Sequence, residues 1–318
     1  MTRRVTEVEA GYRPACAARG QARPADWFGG PARMGTSPRP LHRRRFLTIT
    51  AAALGAPMAA AATTVSWRGS ALGAAASITL GGTGRAAAAE TFAAVAAEVD
   101  RLEDIFSLYR PTSALSRLNR AGRIDAPPPE LVTLLELCDA LHRVTGGAFD
   151  PTVQPVWSAL AEGRSPEAAK RAVGWDGVVI TPKRITLTRP GMALTLNGIA
   201  QGEITDRVAA LLVARGYRDV LVDMGEIAAG GTRAGAPWRV DVAAPDGRVL
   251  RRLRLSDRAL AVSATAGTGQ GPDAVAGHIL DPRPGGSGPE HRLVAVSAPR
   301  AAVADGLSTG CCLLTAPL

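Results

Sequence analysis

Cysteine is scarce in this sequence, with 4 in 318 residues, and the positions of the four predict no disulfide framework. Cys16 lies in the N-terminal region, Cys138 lies on the apolar side of a predicted helix, and neighbours such as Cys311 and Cys312 rarely bridge each other. No Cys/His spacing matches a zinc site. Cys138, Cys311 and Cys312 are therefore predicted to be small core residues.

Aromatic residues are also few, at 4% of the chain, which leaves little surface on which nucleic-acid bases could stack. The formal net charge of +9 favours a nucleic-acid partner only if the charge lies on the folded part. Residues 1–62 carry ten Lys or Arg against three Asp or Glu, which leaves twenty-seven against twenty-five for residues 63–318. The body of the protein is nearly neutral, so no nucleic-acid partner is predicted.

A long run of large apolar side chains is missing as well. The uncharged stretch from Thr48 to about Val65 is rich in Ala and Thr and is interrupted by Pro57, so a permanent membrane anchor is the less favoured interpretation. It follows Arg43-Arg44-Arg45, and a twin arginine before a modest apolar stretch resembles a Tat export signal. Residues 1–77 are therefore predicted to be a disordered leader with a Tat-type signal. This implies a periplasmic protein that the leader could bring close to the membrane.

The remaining chain, residues 78–318, has the patterns of an α+β fold in which mixed β-sheets pack with helices. Apolar residues at three- and four-residue steps predict helices over 86–108, 131–141 and 204–212, and a small-residue helix is predicted over 301–314. Ser113 is predicted to cap a short helix that ends near Asn119. Strands are predicted at 78–80, 178–180, 194–196, 219–223, 238–242, 248–255, 260–263, 278–282 and 293–297.

The stretch from Leu196 to Asp206 joins a predicted strand to a predicted helix and contains Gly198 and Gly202. A junction of this kind leaves backbone N–H groups and a carbonyl free at the helix start, which suits a phosphate and its counter-ion. Taken alone the signal is weak, because most glycine-flanked helix starts are ordinary turns.

Two further positions suggest ligands. Asp305 and Thr309 are four residues apart on the last predicted helix, so both side chains lie on the same face. Carboxylate and hydroxyl oxygens suit Mg²⁺, and the alternative is a solvent-exposed pair without a metal. Asp150 follows a predicted helix end and precedes Pro151, where it either starts a turn or binds a ligand.

Several stretches match, in order, the motifs of one protein family. They lie at residues 104–119, 147–152, 197–206, 222–227, 278–282 and 304–309. On these motifs the chain resembles the ApbE family of FAD:protein FMN transferases over roughly residues 78–313.

The resemblance implies an enzyme that binds FAD and Mg²⁺ and transfers the FMN half to a Thr or Ser hydroxyl of an acceptor flavoprotein, releasing AMP. The residues implied to bind FAD are Ala148, Phe149, Asp150, Gln201, Gly202 and Thr265. Those implied to hold the metal are the carbonyl of Ala200 and the side chains of Asp305 and Thr309. His278 either takes the acceptor's proton, hydrogen-bonds a phosphate or is a structural histidine at a strand end.

The chain departs from the family pattern at several positions. Glu203 stands where relatives commonly have Tyr, and it is expected to bring negative charge close to a phosphate. Ala266 stands where relatives have a Ser hydroxyl that would reach the flavin. Two alternatives therefore stay open, an FAD pyrophosphatase that uses water as nucleophile and a non-catalytic FAD-binding or delivery protein. With the export signal, the expected partner is an acceptor flavoprotein subunit of a membrane redox complex.

Overall fold

The structure is a computed structural model that describes residues 64–244, 247–265, 279–286 and 288–315. The twin-arginine leader up to residue 63, Ala266 and His278 lie outside the described residues. Within the described ranges, no helix has the length and apolar character needed to span a membrane.

The strands are β1 (Thr64–Ala71), β2 (Ala74–Gly81), β3 (Arg123–Asp125), β4 (Val178–Ile180), β5 (Arg184–Leu187), β6 (Val220–Asp223), β7 (Ile227–Gly230), β8 (Trp238–Ala243), β9 (Val249–Leu255), β10 (Arg258–Ala264) and β11 (Leu293–Ala298). The α-helices are α1 (Arg85–Phe106), α2 (Ala114–Ala121), α3 (Pro129–Val144), α4 (Gln154–Ala161), α5 (Glu167–Lys170), α6 (Ala200–Ala214) and α7 (Ala301–Cys311).

The main sheet has six strands in the order β1-β2-β6-β7-β10-β11, with antiparallel pairing between neighbours. Side chains along β6 alternate between its two faces. Val220 and Val222 belong to the core formed with the helices, whereas Leu221 belongs to the core formed with Trp238 and Val240 of β8. The sheet is thus covered by helices on one face and by the β8–β9 pair on the other.

Helix α2 shows how local sequence sets an element. Its N-cap is Ser113, whose side chain accepts a hydrogen bond from the Ser116 N–H at 3.0 Å. Gly122 ends the helix with φ +70°, a conformation that glycine adopts without a steric cost. The predicted cap at Ser113 is confirmed.

The strand predicted at 194–196 is wrong, because residues between β5 and α6 are irregular. The amide of Asn119 takes the place of a neighbouring strand: its Oδ1 accepts the Leu194 N–H and its Nδ2 donates to the Leu194 carbonyl, both at 2.8 Å. The Thr195 N–H donates to the Pro151 carbonyl at 2.9 Å. A polar side chain and a loop therefore satisfy backbone groups that the apolar pattern assigned to a sheet.

Two other predictions need correction. The folded part begins before residue 78, since β1 and the first half of β2 pair with each other from Thr64 onward. The described part of the predicted strand at 278–282 is not a strand. There Asp281 accepts hydrogen bonds from the Arg283 N–H and guanidinium, at 3.0 and 2.9 Å, and this local turn replaces strand pairing.

The cysteines mostly occupy the predicted environment. Cys138 and Cys312 are buried, whereas Cys311 is half-buried at the end of α7. Burial raises the pKa of the Cys312 thiol to about 12. Buried thiols of this kind are poor nucleophiles, so the structure gives Cys138 and Cys312 a packing role.

Candidate active site

The segment that precedes α6 runs directly against α7. The Leu196 carbonyl accepts the N–H groups of Ile199 and Ala200, at 3.0 and 2.8 Å, and so turns the chain into the helix. Gly198, which lies within this turn, is in close contact with Thr309: a Cβ added at Gly198 would lie only 2.8 Å from Thr309 Oγ1. The predicted junction therefore faces the predicted metal-ligand helix.

One turn further along, Gly202 of α6 packs directly against the backbone of α7. Its N–H donates to Oδ2 of Asp305 at 3.1 Å. A Cβ at this position would lie 2.5 Å from the Ala301 carbonyl oxygen and 2.6 Å from Ala302 Cα. Only glycine allows so close an approach of the two helices, and this approach brings an N–H group to the Asp305 carboxylate.

Asp305 is almost fully buried. Burial raises the pKa of its carboxyl to about 7, and the hydrogen bond from the Gly202 N–H opposes that shift. Among the residues that the structure describes, none donates a hydrogen bond to Oδ1 of Asp305. A buried carboxylate with one unbonded oxygen would be stabilised by a cation.

The other predicted ligand, Thr309, lies in a small network of hydroxyl groups with Ser263 and Ser308. Ser263 near the end of β10 lies with its Oγ 3.3 Å from Thr309 Oγ1 and 2.8 Å from Ser308 Oγ. Ser308 in turn donates to the Asp305 carbonyl at 3.0 Å. Sequence reasoning missed Ser263, which lies in β10 two residues before the predicted cofactor residue Thr265.

Asp150 is directed into the protein and caps a 3₁₀ turn over Pro151–Val153. Its Oδ1 accepts the N–H and the hydroxyl of Thr152, at 2.8 and 2.7 Å, and Oδ2 lies 3.8 Å from Nδ1 of His142. Burial raises the pKa of Asp150. The carboxylate thus performs the turn-starting role that the sequence left open.

Ala148 and Phe149 are buried against the C-terminal part of the domain. A Cβ at Gly310 would lie 3.1 Å from the Phe149 Cβ, so Phe149 contacts α7 one residue after Thr309. Ala148 packs in a small cluster with Ile279 and Cys312. These two residues reach the predicted metal helix, whereas the Asp150 carboxylate is occupied by its own turn.

The remaining predicted cofactor residues differ in their surroundings. Thr265 donates from Oγ1 to the His291 carbonyl at 3.1 Å, at the end of β10. Gln201 packs on Gly225, where a Cβ would lie 2.4 Å from Gln201 Nε2. That amide nitrogen is buried and has no hydrogen-bond partner in the described structure. An unpaired buried donor is costly in a protein interior, so Gln201 has a donor available for a ligand.

A second unpaired atom lies next to Gly225. Oε2 of Glu226 is buried and, within the described residues, has no hydrogen-bond partner. Burial raises the pKa of this carboxyl well above its ordinary value, and the negative charges of Asp305 and Asp223 raise it further. Sequence reasoning placed residues 222–227 in a family motif but gave none of them a ligand role. The signal that could have identified this position is the pair of carboxyl groups, Asp223 and Glu226, at the end of the apolar strand β6.

Glu203 does not act as the sequence suggested. It is 2% exposed, yet its carboxylate is paired on both sides. Oε1 accepts from Arg207 Nε at 2.7 Å and Oε2 accepts from Arg300 Nη2 at 3.0 Å. The expected negative charge is therefore neutralised by two guanidinium groups.

The N-terminus of α7 lacks a cap of its own, since Arg300 makes no side-chain capping bond. Asp206 of α6 supplies the cap instead. Its Oδ1 accepts the Ala301 N–H at 2.7 Å and its Oδ2 accepts the Ala302 N–H at 3.1 Å. The free donors of one helix are thus satisfied by a side chain of another.

The donor set around Asp305 suits one hard cation with few protein ligands. Across the described ranges, no group of three or more His, Cys, Asp and Glu side chains forms a metal site. Mg²⁺ requires no such group, because it commonly takes one or two carboxylates and completes its shell with water and phosphate oxygens. The unbonded Oδ1 of Asp305 and the Thr309 hydroxyl fit that requirement.

Fold and site together define an α+β protein with a candidate ligand site between two helices, where the buried carboxylate of Asp305 faces the start of α6 at Gly202. The sequence matches the ApbE family over residues 72–317. The chain therefore belongs to the ApbE family, and its enzyme class is that of the flavin transferases.

Individual relatives agree with this assignment. The FAD:protein FMN transferase of Vibrio cholerae serotype O1 is 31% identical over 238 residues, which are 67% of this chain and 71% of that protein. The protein of the same name from Haemophilus influenzae is 30% identical over 239 residues, 64% of this chain and 66% of its own length. The solved Flavin Transferase ApbE from Vibrio cholerae aligns with a TM-score of 0.68 at 26% identity, covering 78% of this chain and 86% of that one. The predicted family and α+β fold class are confirmed.

Proposed function

We propose that this protein transfers FMN from FAD to a Thr or Ser hydroxyl of an acceptor flavoprotein, with Mg²⁺ as cofactor and AMP as the second product. The observation that carries the proposal is the placement of Asp305 and Thr309 against the start of α6, with the Gly202 N–H on Asp305 Oδ2 at 3.1 Å. The names of the relatives support the transferase and its flavin substrate.

Asp305 and Thr309 would hold the metal together with the Ala200 carbonyl. When bound, Mg²⁺ supplies positive charge that neutralises the pyrophosphate oxygens as the bond to the leaving group breaks. The N-terminus of α6 adds the positive end of the helix dipole, which favours a phosphate at this position. The N–H groups of Ala200, Gly202 and Glu203 are already bonded within the protein, so the dipole is the main contribution of this helix end. The buried Nε2 of Gln201, which has no partner in the described structure, offers one more donor to FAD.

The transfer itself is a displacement at phosphorus. The acceptor hydroxyl oxygen forms a bond to the FMN phosphorus of FAD, and the bond from that phosphorus to the bridging oxygen breaks, so AMP leaves with the bridging oxygen. The hydroxyl proton needs a base, and His278 is proposed for this role on the resemblance alone. If water entered in place of the hydroxyl, the same site would release free FMN and AMP.

The location and partner follow from the leader. A Tat-type signal exports folded proteins, and we propose a periplasmic enzyme whose acceptor is a flavoprotein subunit of a membrane redox complex. The arginines at 43–45 before an uncharged small-residue stretch support this part of the proposal.

The direct test is incubation of the protein with FAD, Mg²⁺ and a peptide that carries an acceptor Thr, followed by mass spectrometry. A peptide adduct with the mass of FMN supports transfer. Free FMN and AMP without an adduct would show a pyrophosphatase, and unchanged FAD that stays bound would show a carrier; either result overturns the proposal.

The metal assignment is tested with Asp305→Ala, which is expected to abolish adduct formation because the proposed ligand set of Ala200, Asp305 and Thr309 loses its carboxylate. Asp125→Ala is the matched control, since this exposed carboxylate at the end of β3 pairs with Arg184 of β5, the strand next to it. Full activity of Asp305→Ala with Mg²⁺ present would contradict the assignment.

A further inference from the structure

Glu203 is an unusual feature of the helix that begins the site. Its carboxylate is buried, and taking a carboxylate out of water costs several kcal/mol unless it is well paired. One partner, Arg207, lies a turn further along the same helix, and the other, Arg300, lies immediately before α7. The second ion pair therefore connects the two helices that carry the proposed site.

Asp206 strengthens the same connection. It accepts the first two N–H groups of α7, and its Oδ2 lies 3.5 Å from Arg300 Nε. Arg300 thus bridges two carboxylates of α6. We call Glu203, Asp206 and Arg300 the α6–α7 clamp.

The clamp lies next to the contact on which the site depends. Gly202, which precedes Glu203, donates its N–H to Asp305, and Asp305 lies one helical turn after the capped residue Ala301. A helical turn is stiff, so fixing the start of α7 against α6 also fixes the distance between Gly202 and Asp305. Asp305 Oδ2 is then held by the N–H while Oδ1 keeps its orientation.

We propose that Glu203 and Arg300 are positioning residues, which hold α7 so that the Asp305 carboxylate is oriented for the metal. This inference rests on the proposed function. Arg300 and Arg207 supply the charges that make a buried Glu stable at this position. Neither residue is proposed to touch FAD or the metal.

Removing the Glu203–Arg300 ion pair would have different effects on melting temperature and metal affinity, depending on whether the pair only stabilises the fold or also positions Asp305. Loss of a structural pair lowers the melting temperature without a specific change in metal affinity. Loss of residues that orient a metal ligand typically weakens metal binding about 10- to 100-fold. Metal affinity of the protein without FAD, measured with Mn²⁺ by electron paramagnetic resonance, separates the two.

The experiment compares Glu203→Gln, Arg300→Gln and Arg300→Lys in the full chain. Glu203→Gln and Arg300→Gln are expected to raise the Mn²⁺ dissociation constant about tenfold, and Arg300→Lys, which keeps the charge, should recover part of the loss. Hydrogen exchange of the peptide that contains Gly202 should become faster in the two Gln variants, because the N–H bond to Asp305 opens more often.

Ile185→Val is the control for general loss of stability. Ile185 is fully buried in β5, outside both helices of the site, and removing one methylene there destabilises the fold in general. If Ile185→Val weakens Mn²⁺ binding as much as Glu203→Gln, or if Glu203→Gln binds Mn²⁺ as the unmodified protein does, the positioning role is wrong. Asp305→Ala keeps the two proposals apart: unchanged Mn²⁺ binding in this variant would reject the metal site itself.

Discussion

Gly202→Ala provides the sharpest test of the packing between α6 and α7. The added Cβ would lie 2.5 Å from the Ala301 carbonyl oxygen, whereas ordinary contact begins at 3.4 Å, so the helices must separate by about 0.9 Å. The opposing atoms belong to the backbone of α7, and no side-chain rotation can move them away. The same separation lengthens the hydrogen bond from Gly202 to Asp305.

The expected magnitude follows from three contributions. Overpacking costs about 1–3 kcal/mol, the weakened hydrogen bond to a charged group costs up to about 1.5–3 kcal/mol, and alanine returns about 1 kcal/mol through its helix propensity. The net loss is about 1.5–5 kcal/mol. For a folded part of this size, each kcal/mol lowers the melting temperature by about 2–4 °C, so Gly202→Ala should melt roughly 3–20 °C lower.

The assay is thermal unfolding followed by circular dichroism, with FMN transfer measured on the same samples. Gly84→Ala is the matched control, because a Cβ there meets no atom within 4 Å and φ is −94°. Gly198→Ala should fall between the two, since its Cβ would meet the Thr309 side chain, which can move. A melting temperature for Gly202→Ala equal to that of Gly84→Ala would refute the proposed close packing.

Two further changes test other parts of the structure. Ser113→Ala should lower the free energy of unfolding by about 1–2 kcal/mol in urea titrations, because α2 loses its N-cap; no change would mean that the cap bond contributes nothing. Asp223→Asn should stabilise the protein at pH 8 and have little effect near pH 3.5. Burial raises the pKa of Asp223 well above its ordinary value of 3.8. The folded state therefore binds this proton more tightly than the unfolded state does. As a result, the unmodified protein loses stability as the pH rises from 3.8 towards the raised pKa of the folded state. An Asn variant whose advantage does not grow with pH would contradict this.

The sequence determined much of the fold because the relevant signals are local. The apolar periodicity of α1, α3 and α6 and the Ser113 cap all act within a few residues of chain, so they can be recognised without knowing the rest of the structure. The same holds for the spacing of Asp305 and Thr309, which one helical turn places on a common face. The ordered motifs indicated the ApbE family for the same reason.

Tertiary structure decided what depends on distant residues. Leu194–Leu196 had a strand-like pattern, but Asn119, far away in sequence, satisfies the backbone of Leu194 with its side chain. The charge of Glu203 could be judged only once Arg300, 97 residues later, was placed beside it. Hydrogen bonds and ion pairs act over a few ångströms of space irrespective of chain separation, so only the folded chain shows which partner a buried polar group has found.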